Sequence, residues 1–588
     1  MKHLLACVGL WLATGLGLGV GFGQDPEAPA PKPIRIACVG DSITRGANAP
    51  GRDWPAQLAE RVERFAPGEY LVENFGHGGA TLLEGPRIPY RDQSEYPASL
   101  EFLPDIVIIN LGVNDSNHGF WDGNAEKFRA SMLELVGVYQ GLASHPTVYL
   151  STLTTMNAAA VDFARTLEFR ATVDRVVRNI AAESGLQVVE FGEVTKNIPE
   201  WVPDGLHPNG DGYNLMAAEA FEVLFRDRLR ARRGALVGEL LAGAHEQGAF
   251  FGNALVAERG HVLFEGSFGL ADDASKRPLD ANSVFELASV SKPITAILVL
   301  RLVQAGTLGL DDLVTKHWPE FPYPAITLRQ LLTHTSGLIV AEEFFAANLE
   351  LKDPNRPLSN DQVCSLLVEQ KPALQSEPGQ AFAYNNLGYI VLAKVVSQVT
   401  HKSFAEALRS EVFAPTGLTG GWISSETPTP EQAANLVKAY VQSTDGGWIH
   451  DLTAPGWEFL GWLGSLEGDG GVRLSARDLL RLDMKIWGPT SPLLSESSQQ
   501  SMLEPVVLAD GTRSFDRGWT PAGYGLGWWL AEDGTSAWHT GDWGGSLAYY
   551  RHWHPSGRTV ILLQNRRSND WSWMADLEAI LTAEIPGE

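Results

Sequence analysis

Cysteine is scarce in this 588-residue chain: Cys7, Cys38 and Cys364 are all it has. Cys7 lies in an N-terminal apolar segment, and the other two fall in stretches that read as different domains, which argues against a disulfide framework. No Cys or His cluster has zinc spacing, and nothing in the sequence calls for a metal or a cofactor. Positive charge is also short. Against 70 Asp and Glu there are 45 Lys and Arg, a formal net charge of −25. No excess cation is left to neutralise a nucleic-acid backbone or to grip an anionic membrane. Beyond the N-terminus no segment is long and apolar enough to span a bilayer. A chain without disulfides has to hold itself together with large hydrophobic cores, and 44% hydrophobic residues suffice for that.

Lys2 and His3 open the chain, Leu4 to Phe22 is apolar and Gly-rich, and Gly21-Phe22-Gly23 offers small residues for cleavage. This predicts a signal peptide over 1–23, export to the periplasm or extracellular space, and no stable membrane span after cleavage. Residues 24–33 form a Pro-rich linker. A first domain is expected over 34–230, where strands (Ile34–Val39, Asp105–Leu111, Thr147–Ser151, Leu186–Phe191) alternate with helical periods. That alternation predicts an α/β fold, a parallel sheet covered by helices. The basic run Arg226 to Arg233 reads as a helix C-terminus followed by an exposed linker near 230–234. Over 235–585 the pattern changes. Strands Phe250–Ala257 and His261–Phe268 come early, and Gly525–Ala531, Leu547–His554 and Thr559–Gln564 come late, around a helical middle. This predicts an α+β domain with an antiparallel sheet.

Gly40-Asp41-Ser42-Ile43-Thr44 directly follows the first strand, at the carboxyl edge where sites form in open parallel sheets. Gly112-Val113-Asn114-Asp115 follows a second strand at the same edge. In Asp204-Gly205-Leu206-His207 the carboxylate can reach the imidazole three residues on and stabilise the imidazolium as the base takes a serine proton. Gly76 offers a backbone N–H with no side chain in the way. These blocks resemble the SGNH (GDSL-type) hydrolases, although the first reads GDSIT rather than GDSL. The resemblance implies a flavodoxin-like sheet and hydrolysis of O-acyl esters. Ser42 is then the nucleophile, His207 the base and Asp204 its orienter. The oxyanion hole comes from the N–H groups of Ser42 and Gly76 and the side chain of Asn114. Ile34–Thr44, Asn110–Asp115 and Asp204–Asn209 look most like the carbohydrate-acetylesterase branch, which implies a small-molecule or glycan ester as substrate.

A second serine lies in Ser289-Val290-Ser291-Lys292, at the start of a helix expected to run to about Gln304. Positions i and i+3 share a helix face, so the hydroxyl and the amine can meet. A lysine acts as a base only where burial or a nearby cation lowers its pKa. Tyr384-Asn385-Asn386 and His539-Thr540-Gly541 follow in order. Together these resemble the serine β-lactamase-like family of class C type, with its esterases and D-amino peptidases, and imply a β-lactamase/transpeptidase-like fold. Carried over, Ser289 is the nucleophile, Lys292 activates it and Tyr384 shares the proton relay. Asn386 contacts substrate or Lys292, and His539, Thr540 and Gly541 line an edge strand. The N–H groups of Ser289 and Asp542 form the oxyanion hole. The sequence leaves Lys292 and Tyr384 both open as the general base. His539 stands where β-lactam-recognising relatives usually carry lysine, which predicts a weaker grip on a substrate carboxylate and a modest gain in it towards pH 6. His334 reads as a structural histidine. Cell-wall D-alanyl peptidase or β-lactamase activity, or one inactive domain acting as a binding module, are the alternatives.

Overall fold

The computed structural model describes residues 32–582 except 86–87, 118–120, 157–163, 197, 350–351, 354–355, 489–492, 514–521 and 555. The expected signal peptide and nearly all of the Pro-rich linker lie outside the described residues. The chain divides into two compact units, one ending at Arg226 and one beginning at Asp227. Among the described residues no helix is long and apolar enough to cross a membrane.

The first unit is built on five strands: β1 (Ile34–Gly40), β2 (Tyr70–Gly76), β3 (Ile106–Asn110), β4 (Thr147–Ser151) and β5 (Gln187–Val189). Every pair is parallel, in the order β2-β1-β3-β4-β5, which is the flavodoxin-like arrangement. Ile36 to Val39 are fully buried, as expected of a strand covered on both faces. Helix α1 (Ser42–Arg45) follows β1 directly, and α2 (Trp54–Phe65) buries Trp54, Leu58 and Val62 behind an Asp53 cap that accepts from Ala56 N–H. The crossovers to the later strands contain α3 (Ala125–Gln140) and α4 (Ala164–Ser184). Strand β2 is absent from the sequence expectation. It lies at the sheet edge with Leu71 41% exposed, so its residues lack the buried apolar run that marks the other strands.

Helix α5 is the main departure. It runs unbroken from Gly210 to Glu246, through the region expected to be an exposed linker. Gly234, in that same region, is a close-approach position: a Cβ there would sit 2.1 Å from the Leu263 carbonyl oxygen. Nor is the basic run merely a solvated helix end. Arg230 and Arg558 both pair with the buried Glu258, and Arg233, 1% exposed, donates to the Ile580 carbonyl.

The second unit contains a fully antiparallel seven-stranded sheet. Its strands are β6 (Gly252–Glu258), β7 (His261–Phe268), β8 (Ala522–Tyr524), β9 (Trp529–Ala531), β10 (Ser536–Trp543), β11 (Ser546–Trp553) and β12 (Arg558–Gln564), ordered β8-β9-β10-β11-β12-β6-β7. Helix α6 (Ser291–Gln304) is buried on nearly every side and belongs to the same core as α7 (Asn386–Thr400) and α8 (Ala476–Trp487). Strand β10 is not an edge strand. It pairs with β11 along its length, and β9 covers its first half through Trp529↔Trp538 and Leu530↔Ala537. From His539 onward its other side turns to the Ser289 segment. A Cβ on Gly541 would lie 2.2 Å from the Leu287 carbonyl oxygen, so glycine is what lets the strand approach.

Candidate active sites

In the first unit β1 ends level with its two neighbours, Gly40 pairing with Gly76 on one side and Asn110 on the other. The segments leaving these ends carry Ser42, residues 77–83 and Asn114, so one sheet edge gathers all three. Asp41 caps α1 by accepting from Ile43 N–H at 3.0 Å, which fixes the turn that presents Ser42. Burial pushes the Asp41 carboxyl up to about 7, with Asp115 adding to the rise and Ile43 N–H and Arg170 opposing it. Asp115 accepts from the N–H groups of Leu82 and Leu83 and so ties the segment after β2 to the turn after β3.

His207 Nε2 lies 2.9 Å from Ser42 Oγ, and His207 Nδ1 lies 2.7 Å from Asp204 Oδ2. The carboxylate takes the Nδ1–H, which leaves Nε2 to accept from the serine hydroxyl. Asp204 also accepts from the N–H groups of Leu206 and His207 and from Asn48 Nδ2 at 2.8 Å. Its partial burial pushes the carboxyl up, but these hydrogen bonds outweigh that and hold it well below the usual carboxylate range. A carboxylate held ionised in this way can stabilise an imidazolium. Asn48, in left-handed conformation at φ 71°, went unnoticed in the sequence because nothing local marks it.

One oxyanion assignment looks different in place, and one holds its expected position. Gly76 N–H is already donated to Asn74 Oδ1 at 2.9 Å, and a Cβ on Gly76 would lie 2.3 Å from Arg45 N. Gly76 is therefore a packing glycine against α1 and not a free donor. In the same segment Gly79, at φ 78°, has no acceptor for its N–H among the described residues. Asn114 is at the expected edge, with Nδ2 donating to the Ala80 carbonyl at 2.9 Å. The second N–H of that amide is left for a substrate oxygen.

In the second unit Ser289 sits in a single 3₁₀ turn (Ala288–Val290) that leads into α6. Ala288, immediately before it, is held at φ 49°, a left-handed conformation that non-glycine residues rarely adopt. Lys292 Nζ stands 2.9 Å from Ser289 Oγ and donates to the Asp469 carbonyl at 2.9 Å. Lys292 is completely buried, and that burial lowers its pKa to about 8 against the opposing charges of Asp469 and Glu342. The rings of Tyr384 and Tyr389 lie 5.0 and 5.6 Å from its Nζ. Burial drives the Tyr384 phenol well above the usual value, with the Ser289 hydroxyl opposing the rise. Of the two open choices, the group whose pKa has moved towards neutrality is Lys292.

His539 turns out to be locked and neutral. His334 Nδ1 accepts from Asn385 N–H at 3.0 Å, so its Nε2–H donates to Tyr524 Oη at 3.2 Å. Tyr524 then donates to His539 Nε2 at 3.2 Å, and His539 Nδ1–H donates to the Thr540 carbonyl at 2.6 Å. The chain has one direction because a backbone amide starts it and a carbonyl ends it. Burial, together with the Lys292 charge, lowers His539 to about 3, and burial lowers His334 well below its usual value. The gain expected of His539 towards pH 6 is thus corrected: no proton is taken up there, and both ring nitrogens are occupied. His334 is structural, as read from sequence. Asp542, at the end of β10, is paired with Arg567.

Ser289, Tyr384, Asn386, His539, Thr540 and Asp542 line one cavity of about 990 Å³, and a smaller one of about 60 Å³ opens beside Ser289. Around the larger cavity the cation Arg551 is engaged by Glu578, while Glu532 and Asp533 add negative charge.

Residues 234–584 match the family model described as Beta-lactamase, and residues 38–215 match the GDSL-like Lipase/Acylhydrolase family. Penicillin-binding protein 4* of Bacillus subtilis is 31% identical over 57% of this chain and 72% of its own length. Esterase EstB of Burkholderia gladioli is 34% identical over 37% of this chain and 54% of its own. Among solved structures, a penicillin-binding protein from Bacillus halodurans aligns at TM-score 0.50 and 27% identity, covering 58% of this chain and 98% of that one.

Proposed function

Through residues 234–584 this chain belongs to the beta-lactamase family, and from that membership we propose an exported enzyme in which two serine centres act on different acyl substrates. The protein as a whole is a serine hydrolase, with a GDSL-like segment preceding the beta-lactamase-like one. At the first centre Ser42 attacks an O-acyl ester, with acetyl on carbohydrate as its substrate class. His207 takes the serine proton and returns it to the leaving alcohol, and Asp204 steadies the imidazolium between the two steps. The observation that carries this is the continuous 2.9 and 2.7 Å path from Ser42 through His207 to Asp204.

At the second centre Ser289 forms an acyl-enzyme on a neutral ester or small amide, with neutral Lys292 as its base. Among the described residues lining the larger cavity no cation is free, since His539 is uncharged and Arg551 is engaged by Glu578, and this supports the reading over β-lactam turnover. A β-lactam carboxylate finds no fixed cationic partner among those residues. The apolar Leu4–Phe22 segment supports export.

The test uses the full chain. With Ser42→Ala, kcat/KM for p-nitrophenyl acetate should exceed that for a chromogenic cephalosporin. With Ser289→Ala, an acetylated oligosaccharide should still release acetate. Cephalosporin turnover well above ester turnover would replace this reading with a β-lactamase, and no acetate release would remove the carbohydrate assignment.

A further inference from the structure

The larger cavity at Ser289 extends along one face of the seven-stranded sheet. Trp529 on β9 pairs with Trp538 on β10, Trp538 pairs with Arg551 on β11, and Thr540 pairs with Tyr549. Directly paired residues point to the same side of a sheet, so these side chains form one surface, and all of them line the cavity of about 990 Å³ together with Ser289. Helix α9 (Met574–Thr582) brings Glu578 to the same cavity. This arm is a built wall. Arg551 is held on every side: Nε and Nη2 donate to Ser536 Oγ at 3.1 and 2.9 Å, Nη1 donates to Glu578 Oε1 at 2.6 Å, and the guanidinium lies 4.9 Å from the centre of the Trp538 ring. Tyr549 donates to the same Glu578 oxygen at 3.2 Å, which leaves Glu578 Oε2 without a donor among the described residues. Glu532 and Asp533 stand exposed at the rim, with one oxygen of Asp533 accepting from the N–H and the hydroxyl of Thr535.

A ligand with both an apolar face and several hydroxyl groups matches this wall. Three carboxylates share one guanidinium, so the arm disfavours an anion. A purely apolar group would cover those carboxylates without donating to them, which costs free energy. Hydroxyl groups donate to carboxylates in short, charge-assisted bonds, and the C–H face of a sugar ring packs on the negative face of an indole. We propose that this arm holds a neutral sugar ring, so that Ser289 cleaves esters of carbohydrate hydroxyls. The proposal deepens the reading of Ser289 as an esterase nucleophile and rests on it. A neutral sugar enters an ester through a hydroxyl, so it is the leaving alcohol. Lys292 takes the Ser289 proton as the serine oxygen bonds to the acyl carbon, and returns it to the sugar oxygen as the bond from that carbon to the sugar breaks. Water then hydrolyses the acyl-enzyme, releasing the carboxylic acid and restoring Ser289.

Methyl 6-O-butanoyl-α-D-glucopyranoside and cyclohexylmethyl butanoate test it. Both carry the same acyl group on a CH₂ beside a six-membered ring, and they differ in the ring oxygen and the hydroxyl groups. In the full chain carrying Ser42→Ala, kcat/KM should favour the sugar ester by about tenfold or more. The readout is the ratio of the two esters, which cancels general effects on the serine. Glu578→Gln keeps the shape and removes the charge, and should lower that ratio by about tenfold, the range of one charge-assisted hydrogen bond. Glu532→Gln, at an exposed position, should lower it in the same direction and serves as the second variant should Glu578→Gln fold poorly. A preference for the cyclohexyl ester overturns the proposal, and so does a ratio unchanged in the folded variants. An equal fall for both esters also overturns it, since Glu578 would then be a positioning residue for the wall. Faster turnover of butyrylcholine than of the sugar ester would make the arm a cation site and overturn it too. If cyclohexylmethyl butanoate turnover survives the further change Ser289→Ala, the nucleophile assignment itself fails, which is a separate outcome.

Discussion

In the proposed mechanism the two centres solve one problem, how to have an unprotonated base next to a serine, in opposite ways. At Ser42 the base is a histidine whose intrinsic pKa already lies near neutrality, and it stays near water: the side chains of His207 and Asp204 are 19% and 42% exposed. Hydrogen bonds, not burial, do the tuning there, by keeping Asp204 ionised. At Ser289 the base is a lysine, intrinsically wrong for the task by several pH units, and complete burial corrects it to about 8. The difference teaches what each centre depends on. The first depends on a few local contacts within Asp204–His207. The second depends on the whole core that keeps water from Lys292.

That contrast can be broken most sharply at the serines. Ser42→Ala and Ser289→Ala should each cut one activity by about 10⁴-fold or more and leave the other, as ester assays on both substrates would show. Loss of both from one folded variant would end the claim of autonomy. Next come the bases. Lys292→Arg keeps a cation that cannot act as a base, and it should cost the second activity roughly 10³–10⁴-fold. Asp204→Asn at the more exposed centre should cost less, roughly 10²–10³-fold in kcat, and the reverse order would contradict the account. Asn114→Ala should lower kcat at the first centre by about 10²–10³-fold with little change in KM, because its donor serves charge that develops in the transition state. On activity the smallest effect belongs to Tyr524→Phe, whose cost falls on stability. It removes the donor to His539 Nε2 and the acceptor for His334 Nε2–H, and should lower stability in thermal melts by roughly 1–3 kcal/mol for each of these two unmet buried groups.

The sequence was most informative where chemistry is local. Ser42 at a strand end, Asp204 three residues before His207, and Lys292 three residues after Ser289 are spacings that geometry turns directly into contacts. It misled where a residue's role is set by a distant partner. Gly76 looks like a free donor until Asn74 and Arg45 are in place. The basic run over 226–233 looks like a helix end and linker until Glu258, the Ile580 carbonyl and the Leu263 carbonyl meet Arg230, Arg233 and Gly234. Strand β10 is implied only by the family resemblance, as an edge strand at His539–Gly541, because Ser536–Trp543 mixes Thr, Gly and Asp with aromatics and carries no strand pattern of its own, and the need for Gly541 comes from the Ser289 turn. His539 was read as uncharged for an insufficient reason, its ordinary pKa. Burial and the His334–Tyr524 chain make it so at any physiological pH.

Stability should carry the same signature. Lys292 has a lower pKa folded than unfolded, so the unfolded chain binds more protons between pH 8 and about 10.5, and stability rises with pH across that window. Below pH 8 the full cost of burying the amine is present. Replacing it in Lys292→Met should therefore raise the melting temperature at pH 7, and the gain should shrink towards pH 10.5. A gain independent of pH would mean that packing, not proton linkage, is the cause.

The central claim is that each serine answers to its own base. The direct measurement is the rate at which a fluorophosphonate labels Ser42 and Ser289 in the same intact chain, followed peptide by peptide by mass spectrometry from pH 6 to pH 9. It would be made in the wild type, in His207→Ala and in Lys292→Ala. The account predicts that His207→Ala slows only Ser42, that Lys292→Ala slows only Ser289, and that Ser289 labelling in the wild type falls about tenfold per pH unit below about 8. Equal slowing of both serines by either variant, or Ser289 labelling that is flat down to pH 6, would contradict it.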